Sequence, residues 1–499
     1  MTRRIKNAYL ATLSLDPNSR DPLHRQLFMT LRDAILHGLI KPGTRLPSSR
    51  LLASDLNISR NTVLTAFDQL TAEGYISSRV GAGSYISDQL PEELLHLRKN
   101  ETTSDSVPRD IPLSHLARNI QNIGGGGIYN LGSFSPGTPE LDKFPFEDWA
   151  RLLGRHWRHP KREYLVGNPI GGATILREAL AEHLGQTRAV RCSAEQVIIL
   201  SGSQQAIHLV IKAFAEKGDP IWMEEPGYPG TRNSILSAGA TPVPVPVDEE
   251  GFRLSDAKKL APDARLACIS PSHQYPLGHT MSLPRRLDLL QWAKTENRFI
   301  LEDDYDSEYR YTGRPLSSLQ GLDTDNRVLY VGTMSKVMFS GLRMGYLVVP
   351  PDLVDVFLAL RRDVDGHSPS VAEAALAEFI SEGSLSAHIR RMRILYENRQ
   401  NVLIKLLREK TADYLTVEPQ ESGMHLIAQL KPGIDDKEVE VLSRSHGMLL
   451  RALSGFYQFP KSDTNGLILG FAGTKEEKMP QLVDRLSDIL ETLSRRNGL

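Results

Sequence analysis

The feature that most constrains this chain is a break in its pattern at residues 88–127. Glu and Lys clusters, Ser/Thr/Pro punctuation and four consecutive glycines, Gly124 to Gly127, replace there the hydrophobic periodicity found on either side. Such a stretch reads as a linker between parts that fold separately. The expected division is a module at 1–87, a linker at 88–127 and a larger domain at 128–499. A chain of 499 residues is too long for one ordinary domain and long enough to bury a large core.

The two sides differ in charge as well as in pattern. The net charge of −1 conceals 11 Lys and Arg against 7 Asp and Glu in residues 1–90, so the small module is basic and the body acidic. That excess is modest, and by itself it describes an ordinary solvated surface as well as a nucleic-acid footprint. No apolar run reaches the ~20 residues that a membrane span needs. The basic start, Met1-Thr2-Arg3-Arg4, has no apolar stretch behind it, so neither a secretory signal nor a membrane partner is expected and the expected compartment is the cytoplasm. Cys192 and Cys268 lie far apart with neither metal nor redox spacing and read as reduced thiols.

In the basic module, Leu23, Leu27, Leu31 and Ile35 recur at helical spacing and stop near Gly38. A short helix follows Ser48 and breaks at Asn57. Ser59 is placed to cap a further helix whose inner face is Val63, Ala66, Phe67 and Leu70. The segment from Gly74 to Ser87 alternates around Val80-Gly81-Ala82-Gly83 and suits a two-stranded wing. The polar start of the Ser59 helix, with Arg60, Asn61, Thr62 and Thr65, offers donors of the kind that enter a DNA major groove, and Arg50 on the preceding helix suits a phosphate or a guanine edge. Amphipathicity alone would equally allow a small helical domain with a basic face.

Several fixed-spacing motifs add specificity. Pro22-Leu23-His24-Arg25-Gln26-Leu27, Pro42-Gly43-Thr44-Arg45-Leu46-Pro47-Ser48-Ser49-Arg50, Ser59-Arg60-Asn61-Thr62-Val63 and Glu73-Gly74-Tyr75 together resemble the GntR family of winged-helix regulators over roughly residues 20–87. The resemblance implies a double-stranded DNA operator as partner. It matches Arg50, Arg60 and Thr62 to DNA-contacting positions and Gly81 to the wing tip.

From about Ile128 onward, apolar runs such as Val197 to Leu200, Ala267 to Ser270 and Phe299 to Leu301 alternate with helical patterns. That order predicts an α/β domain with a largely parallel sheet. Candidate chemistry lies at the strand ends. Lys336 leaves the strand Val328 to Val331 within Gly332-Thr333-Met334-Ser335-Lys336, and Arg343 follows with a fixed cation. A lone loop lysine is usually a solvated charge, but at a buried strand exit the amine loses proton affinity and becomes nucleophilic. Glu302-Asp303-Asp304-Tyr305 brings carboxylates out of the carboxyl end of another strand. Ser201-Gly202-Ser203-Gln204-Gln205 joins a strand to a helix, whose free N–H groups suit a phosphate. Tyr228, in Glu225-Pro226-Gly227-Tyr228-Pro229, supplies an aromatic face.

A lysine for a Schiff base, a carboxylate, a phosphate cradle and an aromatic cover are the four needs of pyridoxal phosphate (PLP) chemistry. In that reading Lys336 carries the cofactor, and Arg343, Thr333 and Ser335 serve the phosphate. Asp303 pairs with the pyridine nitrogen, with Asp304 as its rival, and Tyr305 bonds the ring's phenolic oxygen. The order Gly202-Ser203-Gln204, Tyr228, Asp303, Tyr305, Lys336, Arg343 resembles the fold-type-I aminotransferases, and with the winged helix the whole chain is similar to MocR/GabR-type regulators. The resemblance implies a homodimer, in which Tyr164 of Glu163-Tyr164 reaches the phosphate in the partner subunit.

Two departures stand out. Tyr275 of Ser272-His273-Gln274-Tyr275-Pro276-Leu277-Gly278 occupies the place where many aminotransferases have a ring-contacting asparagine, with His273 and Gln274 as substitutes. The stretch Gly466 to Gly473 lacks the arginine that clamps a substrate carboxylate in active enzymes, and Arg451 is a nearby candidate. The expected function is thus a PLP-dependent DNA-binding transcription regulator that senses an amine or amino-acid effector by aldimine exchange at Lys336. A working aminotransferase with an accessory DNA-binding domain is the alternative.

Overall fold

The computed structural model describes residues 15–17, 19, 21–79, 83–87, 132–313, 316–460 and 464–496. They belong to two compact units, Met1–Pro112 and Leu113–Leu499. The expected linker and the expected wing-tip residue Gly81 lie outside the described residues.

The smaller unit contains α1 (Leu23–Leu36), α2 (Ser49–Asp55), α3 (Arg60–Ala72) and a hairpin of β1 (Ile76–Arg79) and β2 (Gly83–Ile86). Serines set the helix starts. Ser48 Oγ accepts from the Leu51 N–H at 3.3 Å and Ser59 Oγ from the Thr62 N–H at 3.1 Å, which satisfies one orphan donor at each N-terminus. Asn57, at φ 53°, takes the left-handed turn between α2 and α3, a conformation that asparagine tolerates better than most residues. Leu27, Leu31, Leu52, Val63, Ala66 and Leu70 then close one core beneath the antiparallel hairpin. Each full burial of such a leucine or valine contributes about 1.5–3 kcal/mol.

The larger unit is built on an eight-stranded sheet in the order β3-β10-β9-β8-β7-β4-β5-β6. In chain order these are β3 (Val197–Leu200), β4 (Pro220–Glu225), β5 (Thr241–Asp248), β6 (Gly251–Phe252), β7 (Leu266–Ile269), β8 (Phe299–Asp304), β9 (Val328–Thr333) and β10 (Gly345–Val348). The pairs β4–β5, β4–β7, β7–β8 and β8–β9 are parallel. The largely parallel expectation holds with two exceptions: β10 runs antiparallel to both β3 and β9, and β6 folds back on β5. Both faces are covered, and for that reason the strands read as continuous apolar runs rather than as alternating ones. Ile198, Met223, Leu301, Leu329 and Leu347 pack to one side with the helix Ser203–Phe214. Trp222, Ala267, Ile300 and Val328 pack to the other with the helix Leu283–Thr295.

A second sheet, β11 (Leu415–Val417), β12 (His425–Leu430), β13 (Arg451–Ala452) and β14 (Gly466–Gly470), is antiparallel in the order β11-β12-β14-β13. The long helix Ser384–Lys410 carries Arg399, whose guanidinium pairs with Glu140 at 2.6 Å with both side chains almost wholly buried. It also donates to the Ala472 carbonyl. Removing one member of such a pair strands the other charge in low dielectric. Arg399→Ala is expected to cost about 3–5 kcal/mol, read as a lower urea midpoint of the larger unit. A change under about 1 kcal/mol would contradict this account of the pair.

Candidate functional site

The candidate groups converge at the carboxyl ends of β4, β7, β8 and β9. β9 delivers Thr333, and the loop after it is pinned by the buried side chains of Met334, Val337, Met338 and Met344. Lys336 stands between those anchors. Its Nζ donates to the Gly137 carbonyl at 2.9 Å. Burial lowers the proton affinity of this amine, and the Asp306 and Asp303 carboxylates partly oppose that effect. Gly137 takes φ 70°, a conformation that L side chains rarely adopt, and a Cβ there would displace the lysine nitrogen. Sequence reading passed over Gly137, although Pro136-Gly137-Thr138-Pro139 is plain turn punctuation.

The two-residue period of β8 sends Asp303 and Asp304 to opposite faces. Asp304 shares a face with Ile300 and Glu302. There Arg188 Nε donates to it at 2.8 Å and the Tyr330 hydroxyl at 2.5 Å. Asp303 faces the opposite way and lines a small open cavity with Glu224, Tyr228, Thr231, Cys268 and Ser270. Its Oδ1 is buried without a hydrogen-bond partner. Burial, and then the neighbouring Asp304 and Asp306 charges, push the Asp303 carboxyl up to about 7. Glu224, wholly buried beside it, is pushed up to about 8 by burial.

Tyr305 extends from the end of β8 to His273. The His273 Nδ1 lies 2.8 Å from Asp306 Oδ1 and 2.9 Å from the Tyr305 hydroxyl oxygen. A carboxylate only accepts, so the imidazole proton sits on Nδ1 and the tyrosine proton is free to point elsewhere. His273 Nε2 is buried without a partner. Gln274 is fully engaged: its amide donates to the Pro226 and Tyr275 carbonyls at 2.8 and 2.7 Å, and its oxygen accepts from the Leu277 N–H at 3.0 Å. Of the two proposed stand-ins for asparagine, His273 is therefore the one near Tyr305 with a free ring nitrogen. The Asp306 contact and the adjoining His425 ring, 5.5 Å away, were not foreseen from sequence.

The remaining candidates divide. Gly202, at φ 139°, starts the helix Ser203–Phe214, and its Cα packs so closely on Gly345 that a Cβ on Gly345 would lie 2.8 Å away. Ser203 thus opens a helix whose first N–H groups have no helical acceptor. The Gln204 side chain is committed to Gly230 O at 3.0 Å and Ser234 Oγ at 2.8 Å. Tyr228 precedes the helix Pro229–Ser237 with an exposed ring 6.1 Å from that of Tyr275. Ser335 is half-buried and donates its N–H to Thr333 Oγ1 at 3.2 Å. Arg343, at φ 52°, is exposed and has no ion-pair partner among the described residues. Tyr164 lies apart from the cavity lining, packed with Val371 and Ala374. Arg451 pairs with Glu440 at 3.1 Å.

In the smaller unit, Arg50, Arg60 and Asn61 are exposed and Thr62 is half-buried. Arg60 Nε donates to Ser49 Oγ at 3.3 Å, and the Ser59 oxygen is used by its cap. Arg45 packs over Gly83 at the start of β2, a position that the Pro42 motif contained but that received no role.

The sign of the Asp303 shift gives a test. A carboxyl raised on folding contributes stability that is fully present below its unfolded value near ~3.9 and is lost as pH rises through about 7. Asp303→Asn removes that dependence. Without added cofactor, the variant should gain about 1–3 kcal/mol over wild type between roughly pH 4 and pH 8 in urea unfolding. Parallel pH profiles for the two proteins would contradict the buried, unpaired acid.

Known proteins share both units. Residues 130–486 match aminotransferase class I and II, and residues 23–86 match the bacterial regulatory proteins of the gntR family. The probable rhizopine catabolism regulatory protein MocR of Rhizobium meliloti is 40% identical over 98% of this chain and 97% of its own. The pyridoxine biosynthesis transcriptional regulator PdxR of Corynebacterium glutamicum is 31% identical over 95% and 98%. Among solved structures, the α-aminoadipate aminotransferase LysN of Thermus thermophilus, complexed with N-(5'-phosphopyridoxyl)-L-leucine, is 26% identical with a TM-score of 0.67, covering 77% of this chain and 96% of that one. A kynurenine aminotransferase of Pyrococcus horikoshii, 24% identical with a TM-score of 0.66 over 77% and 95%, shares the fold. A gntR-type DNA-binding unit and an aminotransferase class I and II unit in one chain, matched end to end by such relatives, make this protein a member of the MocR-type transcription regulators.

Proposed function

We propose that the chain holds pyridoxal phosphate on Lys336, receives an amine or amino-acid effector there, and answers by changing how its winged helix engages a DNA operator. The observation that carries the reading is Asp303 Oδ1, a carboxylate oxygen buried at the cavity with no hydrogen-bond partner among the described residues. Such an atom is costly unless something completes it, and a protonated ring nitrogen does so. Bound pyridoxal phosphate supplies an electrophilic carbon for an amine and a ring that stabilises negative charge.

This chain's residues divide the remaining work. Burial keeps a share of Lys336 unprotonated and nucleophilic. The Tyr305 hydroxyl lies beside His273 Nδ1, whose proton goes to Asp306, so the tyrosine keeps its own proton to donate toward the cofactor's phenolic oxygen. Arg343, the hydroxyls of Thr333 and Ser335, and the N–H groups at Gly202, Ser203 and Gln204 fit the phosphate. Tyr228 covers the ring. Tyr164 enters through a homodimer, as the partner subunit's phosphate contact. On the DNA side, Arg50, Arg60, Asn61 and Thr62 read or position the operator, Arg45 and the wing around Gly81 support them from the backbone, and the cytoplasm is the compartment.

An effector shifts a two-state equilibrium only through its differential affinity for the two states. Lys336→Ala should therefore retain operator affinity and lose both the borohydride-reducible link to the cofactor and the effector's influence on DNA binding. DNA titrations at one fixed salt concentration check this. An unaltered effector response in the variant would overturn the proposal. Arg50→Ala and Arg60→Ala should each weaken specific binding by about 1–3 kcal/mol while cofactor absorbance stays unchanged. Intact operator affinity in both would remove α3 and its neighbour from the DNA interface.

A further inference from the structure

The turn that offers its N–H groups to a phosphate is built on the most permissive residue type. Gly202 joins β3 to the helix Ser203–Phe214 at φ 139°, a conformation that glycine reaches without strain and leaves just as readily. N–H groups at a helix start hold an anion well when they are already aimed at it, because ordering them on binding costs affinity. The turn therefore needs a restraint from outside itself.

Gln205 supplies one from the first turn of the helix. Its Oε1 accepts from the Ser201 N–H at 2.7 Å, so the side chain reaches back past Gly202 and closes the turn. A carboxamide has an acceptor end and a donor end, and one orientation alone places the acceptor on an N–H. Asp365 fixes that orientation. Gln205 Nε2 donates to Asp365 Oδ2 at 2.8 Å, and Ser201 Oγ lies 3.5 Å from the same oxygen. A carboxylate accepts and does not donate, so a flipped Gln205 amide would set oxygen against oxygen at Asp365 and N–H against N–H at Ser201. Both contacts would be lost together.

Asp365 directly follows the helix Val354–Val364. A negative charge close to an anion site is unfavourable on its own. Arg361, one turn earlier and wholly buried, offsets it: its Nε lies 3.5 Å from Asp365 Oδ1, and its Nη2 donates to Ser368 Oγ at 2.9 Å. The carboxylate is thus placed by Arg361 on one side and spent on Gln205 on the other. Neither Gln205 nor Asp365 belongs to the cavity lining around Asp303. Bonds that merely tied two helices together would matter equally to every ligand of the site, whereas bonds that aim the turn matter to the phosphate alone.

We propose that Asp365 is a positioning residue for the cofactor's phosphate, acting through Gln205 to hold the turn at Ser201-Gly202-Ser203 in its anion-binding shape. The inference rests on the reading of that turn as the phosphate cradle of the Lys336 site.

The test compares two ligands that differ by the phosphate. The full chain, freed of cofactor, is titrated with pyridoxal phosphate and with pyridoxal, following the visible absorption of the bound form. Gln205→Leu and Asp365→Ala should each weaken pyridoxal phosphate binding by about fivefold or more, as expected for a lost charge-assisted hydrogen bond, and leave pyridoxal within about twofold of wild type. Asp365→Asn, whose side-chain carbonyl still accepts from Gln205, should stay within about twofold of wild type for both ligands. Because Asp365 acts through Gln205, adding Asp365→Ala to Gln205→Leu should cause little further loss. Equal weakening of both ligands, or full pyridoxal phosphate affinity in both single variants, overturns the inference. A wild type that binds pyridoxal phosphate no better than pyridoxal overturns the cradle reading itself, so the two failures are distinguishable. Should Asp365→Ala not fold, Gln205→Leu, which leaves the Arg361 pair intact, decides the question by the same ratio.

Discussion

Two adjacent carboxylates on β8 can both exist in the interior only because the strand sends them to opposite faces and Arg188 takes one of them. Arg188 holds Asp304 at 2.8 Å, the Leu316 carbonyl at 2.6 Å and Ser272 Oγ at 2.7 Å. One guanidinium therefore neutralises the strand's second acid and fixes the start of the loop that carries His273. Without it, Asp304 would face low dielectric without a counter-charge and would add its repulsion to the cost of burying Asp303. The planar fork of arginine suits this task in a way that lysine's single ammonium does not.

Neutralising Asp304 leaves Asp303 exposed to the full cost of burial. Its carboxyl and that of Glu224 both sit well above the ordinary range because water has been removed from them. A protein built only for stability would not place two acids there. Buried acids of raised proton affinity beside a lysine of lowered proton affinity form the pattern that marks a candidate functional site.

Much of this was legible in the sequence because it rests on local rules. Ser59 capping α3, Asn57 ending α2 and the apolar runs of β3, β7 and β8 each follow from backbone chemistry within a few residues. Lys336 and Tyr228 drew attention because they follow strands at their carboxyl ends, where ligands bind in open α/β sheets, and Arg343 because it follows Lys336 in the same loop. The choice between Asp303 and Asp304 was not, since a strand covered on both faces shows no polar alternation to reveal which face carries the site. Gln274 and His273 were likewise equivalent until their partners, Pro226 and Asp306, were placed. The antiparallel β10 escaped because its Gly345 to Val348 run is as apolar as its parallel neighbours. Gly137 was missed because its role is to make room for Lys336, almost two hundred positions away in the chain.

The central claim is that Asp303, and not Asp304, is the carboxylate that completes itself on the ring nitrogen. Nitrogen NMR of the full chain loaded with pyridoxal phosphate labelled at the pyridine nitrogen reads the protonation of that atom directly. The account predicts a protonated nitrogen in the wild type at mildly alkaline pH and an unprotonated one in Asp303→Asn. A nitrogen that stays protonated in Asp303→Asn, or that carries no proton in the wild type, would contradict it.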